Sequence, residues 1–275
     1  MKVSFDLGYI AEPYLSLCDQ YPDSSVYPAK DFRVEWGPIF HRGRLDGSAR
    51  VLVIGQDPAT HEAITRRILV GEAGQRVQGF LAKLGITSSY VMINTFLYSV
   101  YGQGGGMKHK NDPAIIEYRN RWIDAIFAGA PIEAVVALGT LADGAFKKWK
   151  QTPAGQANDV AYEHITHPTY PNSVSGGNAT SFADAMKQML ANWNAALQRL
   201  APKLQHPDVA QPLVLYGTGL SPGELAEIPL EDLPAGLPTW MRSLDSWAVR
   251  RGETPDEKRA TIVVTVPKDA RPPTT

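Results

Sequence analysis

Four short runs, each closing on Gly, Asn or His and each followed by a longer stretch of helical pattern, constrain this chain more than any other feature. They are VLVI at 51–54 before Gly55, YVMI at 90–93 before Asn94, residues 132–138 before Gly139-Thr140, and residues 160–166 before His167-Pro168-Thr169. Short strands alternating with helices are the signature of βαβ units, and therefore of a parallel sheet. Helical pattern is expected over residues 62–84, over 113–127 beyond the Gly104-Gly105-Gly106 loop, after Thr140 through Trp149, and over 182–200, the last amphipathic. The fold class expected is α/β: a three-layer α/β/α sandwich on a central, mainly parallel four-stranded sheet, occupying residues 1–201 with its core at 50–200.

Two flanking regions fall outside that pattern. Residues 1–49 read as a preamble with a short helix at 14–18, and Trp36, Ile39 and Phe40 are expected to cover one edge of the domain core. Beyond Pro202 prolines become frequent, with helical periodicity only at 239–249 and a candidate strand at 261–266. This C-terminal extension, residues 202–275, is expected to pack on the core, and no motif gives it a role.

Composition narrows the function. With 275 residues, 44% of them hydrophobic, the chain can bury one large domain with an appendage. Its net charge of -1 provides no global positive field, so any nucleic-acid contact must be local. Cys18 is the single cysteine, which excludes an intramolecular disulfide and a Cys-ligated zinc or iron–sulfur centre within one chain. The opening MKVSFDLGYIAEPYLSL carries Asp6, Glu12 and Pro13 where a signal peptide needs an unbroken apolar core, and no run of about 18 apolar residues occurs. The expectation is a soluble, cytoplasmic monomer with no membrane association.

In an open parallel sheet, ligands bind at the carboxyl ends of the strands, where loops converge and helix N-termini point inward. Asp57, Asn94 and His167 each fall at such an end. Singly, each has a bland reading: Asp-Pro and His-Pro open turns, and an Asn closing a strand often caps backbone groups. Together they place a carboxylate, an amide and an imidazole from three strands around one small ligand.

The combination is specific. Gly55-Gln56-Asp57-Pro58 after a hydrophobic strand resembles the GQDP start of the water-activating motif of the uracil-DNA glycosylase superfamily, and His167-Pro168-Thr169 resembles its HPS or HPT motif. Asn94 is similar to the family's uracil-reading Asn, and Leu138-Gly139-Thr140 to its Gly-Ser loop beside the DNA backbone. The likeness covers residues 50–200.

The resemblance implies base excision repair: uracil flipped out of single- or double-stranded DNA, its N-glycosidic bond hydrolysed, and free uracil and an abasic site released. Asp57 and His167 are then the catalytic pair, with an ionised carboxylate on the sugar that becomes cationic and a neutral imidazole on the uracil that becomes anionic. Asn94 offers the complement of uracil's edge, and Gly55, Gln56, Ala59 and Leu69 complete the base pocket. DNA contacts are expected from Thr140, Thr169, Tyr170, Lys108, Lys110, Arg66 and Arg67, whereas Lys147, Lys148 and Lys150 read as an exposed helix face. No cofactor or metal is called for.

Four departures from the family pattern stand out. Ala59 occupies the place of the Tyr that blocks the thymine methyl in the best-known branch, so thymine or hypoxanthine excision is an alternative. Residues 68–74 (ILVGEAG) resemble the FVGxAG segment of the thermophile-type branch with Leu69 in the Phe position, leaving Phe80 and Phe96 as other stacking candidates. After the HPT motif no Leu is present to wedge into DNA, and Tyr170 and Val174 are the candidate substitutes. His61 is shifted by one from the family's His, with a catalytic and a capping role both open. A uracil-DNA binder without turnover and a metal hydrolase using Asp57, His61, Glu62 and His167 are the rival classes, the latter lacking a recognised ligand spacing.

Overall fold

Strand β2 (Val51–Gly55) is buried along its whole length because it pairs in parallel on both sides, with β3 (Tyr90–Asn94) and β4 (Ala134–Leu138). The computed structural model describes residues 8–102, 105–175 and 180–270; Gly104 of the Gly-rich stretch, and residues 1–7 and 271–275 of the two expected units, lie outside them. Strand β5 (Ala161–Ile165) pairs in parallel with β4 at one edge. The sheet has five strands, not four: β1 (His41–Gly43), in the region read as a preamble, pairs antiparallel with β3 at the other edge, giving the order β1-β3-β2-β4-β5. The segment His-Arg-Gly has no apolar run to mark it as a strand, and its arginine is neutralised by a carboxylate far along the chain, Asp232.

The strands' alternating side chains build two cores. On one face Leu52, Ile54, Val91, Ile93, Val135 and Ala137 pack with α5 (Pro113–Gly129), α6 (Gly139–Lys150) and the short N-terminal α1 (Tyr14–Asp19). On the other face Val51, Val53, Tyr90, Met92, Val136 and Leu138 pack with α3 (Glu72–Lys83) and α9 (Phe182–Leu200). Phe80 belongs to this second core, edge-on to Trp193. The helices begin where their caps dictate: Asp112 accepts from the N–H of Ala114 ahead of Pro113, and Ser181 accepts from Asp184. Shorter helices α4 (Gly105–His109), α7 (Pro153–Ala157) and α8 (Tyr170–Ser175) join the larger elements.

The helix expected over 62–84 is broken into α2 (Thr60–Thr65) and α3. Arg66 caps α2 in the left-handed region, and Leu69 also has positive φ, 53°. Such a conformation is unfavourable for a branched side chain by about 1–2 kcal/mol. Buried Glu62 holds the break open, its carboxylate accepting from the N–H of Ala59 at 3.0 Å and of Val70 at 3.2 Å. Gly74 is required there, since a Cβ at that position would collide with the carbonyl of Leu69.

The C-terminal segment is fastened to the sheet by ions. Asp232, fully buried, binds Arg42 of β1 at 2.8 Å and Arg44 at 2.7 Å, and accepts from the Tyr90 hydroxyl. Nearer the core domain in sequence, Asp208 accepts from the N–H groups of Thr87, Ser88 and Ser89. A two-stranded ribbon, β6 (Ala248–Val249) with β7 (Val263–Val264), flanks α10 (Pro255–Ala260). Among the described residues no helix is long and apolar enough to cross a membrane.

Candidate active site

All four parallel strands point their carboxyl ends to the same edge, and each delivers one of the residues singled out by sequence. Gln56 and Asp57 follow β2, Asn94 ends β3, Thr140 follows β4, and Thr166 and His167 follow β5. Strands lie about 4.8 Å apart, so the ends of β2 and β5, separated by β4, are about 10 Å apart.

The loops after β2 and β3 are stitched together. Thr95 donates from its N–H and hydroxyl to the carbonyl of Gly55, both at 2.9 Å, and the Phe96 N–H donates to Gln56 at 2.9 Å. Val100 then donates from its N–H to Asp57 Oδ2 at 2.9 Å, fixing one carboxylate oxygen. Burial pushes the Asp57 pKa up to about 6, opposed by the Val100 N–H, the Gln56 side chain and the Arg250 guanidinium. Asp57 is therefore ionised above neutrality and poorly solvated, so its charge is available to a cation placed beside it.

His167 is tuned the other way. Burial pushes its pKa down to about 4, so the ring is neutral at pH 7. The Thr169 N–H faces Nδ1 at 3.3 Å and the Thr169 hydroxyl lies 2.9 Å from it. An N–H can only donate, which makes Nδ1 the acceptor and leaves the proton on Nε2. Sequence could not resolve this tautomer. Gly139, at φ +80°, packs against the ring, where a Cβ would come within 3.2 Å of the His167 Cβ. The loop itself is held by Arg76 of α3, which donates to the Pro168 carbonyl and to Asn172 Oδ1 and pairs with Glu72. Arg76 was not singled out by sequence; it falls one turn after Glu72 on a helix, where an ion pair is the ordinary reading.

Asn94 is buried directly over Gly55: a Cβ on that glycine would sit 2.3 Å from Asn94 Oδ1 and 3.7 Å from Leu69 Cδ1. Asn94, Gly55 and Leu69 thus share one corner, and the positive φ of Leu69 is what turns that residue there. Ala59 is exposed at the start of α2. Phe96 is fully buried, edge-on to Phe32 and in the core beside Val100.

Other expected contacts lie differently. Arg66 is committed inward, donating to the carbonyls of Trp36 and Pro38 at 2.6 Å each, and Arg67 is buried, donating to Arg66 O and lying over the ring of Tyr9. Neither is oriented as a phosphate contact. Lys108 is exposed and 3.1 Å from Asp31, Lys110 is exposed, and Thr140 is exposed at the start of α6. Tyr170 packs against the second core with its hydroxyl 3.3 Å from Gln188 Oε1, and Val174 is half-buried in α8. His61 is neither exposed nor a helix cap: Nε2 accepts from the Ala248 N–H at 3.3 Å and the ring meets Trp247 edge-on at 4.7 Å, so it docks the C-terminal ribbon. Among the described residues no three His, Cys, Asp or Glu side chains cluster as metal ligands.

A family model described as the uracil DNA glycosylase superfamily matches residues 42–198, more than half of the chain and the whole of the parallel sheet. The chain belongs to the uracil DNA glycosylase superfamily. A search of curated proteins finds no match to it. Membership in the superfamily agrees with the α/β fold and implies DNA as the substrate. Strand β6, flanked by Trp247 and Arg250, lies outside the matched residues.

Proposed function

We propose that the protein is a uracil-DNA glycosylase that hydrolyses the N-glycosidic bond of deoxyuridine in DNA. The observation that carries this reading is the opposite tuning of two groups on one edge of the sheet: Asp57, its pKa raised to about 6, and His167, lowered to about 4 with its proton on Nε2. At neutral pH this leaves an ionised carboxylate and a neutral imidazole able to donate, which suits a cationic sugar and an anionic leaving base.

In the proposed reaction the target nucleotide leaves the base stack, at a cost of about a few kcal/mol. Asn94 presents its amide oxygen to uracil N3–H and its amide N–H to O4. The C1′–N1 bond breaks as its electron pair moves into the ring, and His167 donates a hydrogen bond from Nε2 to O2 of the departing anion. The Asp57 carboxylate stabilises the oxocarbenium-like sugar and orients a water whose oxygen bonds to C1′; the proton passes to Asp57 and uracil leaves to be protonated in solvent. Gln56 steadies Asp57 through its side chain.

The test is a labelled oligonucleotide holding one uracil, treated with alkali after incubation with wild type, Asp57→Asn and His167→Ala. Cleavage is expected in the wild type, and a loss of about 100- to 1,000-fold in His167→Ala, typical of removing one donor to a developing anion. Equal cleavage by all three, or none by any, rejects the reading.

A broader base range is a second reading with its own observation. Exposed Ala59 offers only a methyl group where bulk is needed against the C5 methyl of thymine. Release of thymine or hypoxanthine from mismatched duplexes at rates near that of uracil would favour it.

A further inference from the structure

The ribbon of β6 and β7, with α10 between its strands, lies outside the matched residues and is fastened to the core domain at two places. At one, the Ala248 N–H donates to His61 of α2 and the Trp247 ring meets that imidazole edge-on. At the other, Arg33 Nη1 donates to the carbonyl of Arg259 in α10 at 2.9 Å. The guanidinium of Arg259 lies over the Tyr101 ring, 4.6 Å from its centroid, and that of Arg33 lies over the same ring at 4.5 Å and over Trp36 at 4.4 Å. Tyr101 follows Val100, whose N–H fixes the Asp57 carboxylate, so the ribbon is joined to the loop beside Asp57.

Three guanidiniums gather here with little to neutralise them. Arg33 is 1% exposed and its Nε has no hydrogen-bond partner; Glu35, 3.9 Å from Nη1, already accepts from the Tyr101 hydroxyl at 2.7 Å. Burial, and then the like charges of Arg250 and Arg259, push the Arg33 pKa down. Arg250, directly after β6, is exposed and forms no ion pair among the described residues, yet its charge reaches both Arg33 and Asp57. Arg259 pairs with Asp256 at 3.4 Å, but Asp256 stands almost wholly in solvent, where such a pair contributes only about 0–1 kcal/mol and yields to a stronger partner. Glu257 is taken up by the N–H groups of Glu253 and Thr254.

The place of this cluster fits a polyanion. A strand whose sugar lies at Asp57 carries its flanking phosphates past the neighbouring surface, and a chain of net charge -1 must supply cations there locally. Arg66 and Arg67, expected in that role, are committed inward. The guanidinium fork matches the oxygens of a phosphate, and Arg250 and Arg259 present theirs at the surface.

We propose that the C-terminal ribbon is a DNA-backbone clamp, in which Arg250 and Arg259, steadied by Arg33 and Tyr101, receive phosphates of the strand that carries the target nucleotide. The inference rests on the reading of Asp57 as the group that faces the sugar, and it gives the C-terminal extension a task of its own.

Binding of a labelled, uracil-free single-stranded oligonucleotide to the full-length protein is followed by fluorescence anisotropy between about 50 and 200 mM salt. The proteins are wild type, Arg250→Gln, Arg259→Gln and a control, Lys203→Gln. Lys203 is exposed at the opposite edge of the sheet, where the Gln205 N–H donates to Glu133 ahead of β4. Each ribbon variant is expected to bind about tenfold more weakly at the lowest salt, for a lost charge-assisted contact, with a log–log slope shallower by about 0.7. Lys203→Gln is expected to match wild type. Both arginines are exposed, so their substitution leaves the fold intact, and equal melting temperatures check this. Affinities and slopes in both ribbon variants equal to wild type, or an equal loss in Lys203→Gln, overturn the proposal. Uracil release is measured separately on the same proteins. Ribbon-dependent binding without uracil release keeps the clamp and discards the uracil reading, and uracil release with ribbon-independent binding does the reverse.

Discussion

The guanidinium of Arg76, on α3, donates to the carbonyl oxygen of Pro168, the residue after His167. The imidazole is therefore positioned by a helix on the far side of the sheet from α5 and α6. Arg76 touches neither base nor sugar in the proposed reaction and acts only through the loop. Displacement of a reacting group by about 1 Å can cost about 100-fold in rate. Arg76→Met is expected to lower kcat for uracil release by about that factor while KM for the oligonucleotide changes little. Arg76→Lys, which keeps one donor, recovers part of it. A fall confined to KM, or no recovery with Lys, would assign Arg76 to general folding instead.

The raised pKa of Asp57 makes opposite predictions for activity and stability. The group goes from an ordinary 3.8 to about 6 on folding, so between these values the folded state holds a proton that the unfolded state has lost. Stability then falls as pH rises through that window, by up to about 3 kcal/mol at about 1.36 kcal/mol per pKa unit, and stays reduced above it. Asp57→Asn removes the desolvated charge. It is expected to melt above wild type at pH 7.5, with the difference vanishing below pH 4, and to lose uracil excision by at least about 100-fold. Melting curves of both proteins at pH 4 and 7.5 check the sign; a variant less stable at pH 7.5 than wild type contradicts it.

The same two values order the pH dependence of the reaction. On lowering the pH, Asp57 takes its proton near 6, whereas His167 charges only near 4. The acid limb of kcat/KM thus belongs to the carboxylate, with activity present above about pH 6 and lost below it. The residual activity of His167→Ala should show its limb at the same pH. A limb that vanishes in that variant would make the imidazole the titrating group.

Asp232 offers a test of how the C-terminal segment is held. It neutralises two arginines, Arg42 and Arg44, that would otherwise lie against the edge of the sheet without a counterion at that point. Removing one member of a buried ion pair costs about 3–5 kcal/mol, because the charge left behind is uncompensated. Asp232→Ala is expected to lower the denaturation midpoint accordingly. A loss under about 1 kcal/mol would mean that water reaches the arginines and that the segment is not a fixed cover.

The arginine–aspartate link also explains where sequence reading ran out. β2, β3 and β4 are apolar enough to be read locally, and with them come Asp57, Asn94 and Thr140 at their ends; β5 is legible mainly from the HPT motif after it. β1 is three residues, two of them charged or titratable, and becomes a buried strand only because Asp232 arrives from about 190 positions away. No periodicity encodes such a contact. The break between α2 and α3 is hidden for a related reason: Leu69 adopts a conformation its type disfavours, held there by the carboxylate of Glu62 and room at Gly74. Arg76 belongs to no motif, and only its burial separates it from an ordinary helix-surface cation. The tautomer of His167 depends on a backbone N–H two residues away, a matter of loop geometry rather than residue type.

Gly55 is the point where strand packing meets the proposed base pocket. A methyl group added there would lie 2.3 Å from Asn94 Oδ1, and the end of that side chain must move, while the backbone has no positive φ to forbid the substitution. Gly55→Ala should therefore fold, and should act by displacing the Asn94 amide proposed to read uracil. A decrease of about 10- to 100-fold in kcat/KM is expected, the range for one misaligned hydrogen-bonding pair at about 1–3 kcal/mol. If the effect runs through Asn94, it disappears once that amide is gone: Gly55→Ala should change nothing further in an Asn94→Ala background, so the two substitutions are strongly non-additive. Additive losses would place the damage elsewhere, at Leu69, whose Cδ1 lies 3.7 Å from the same added carbon.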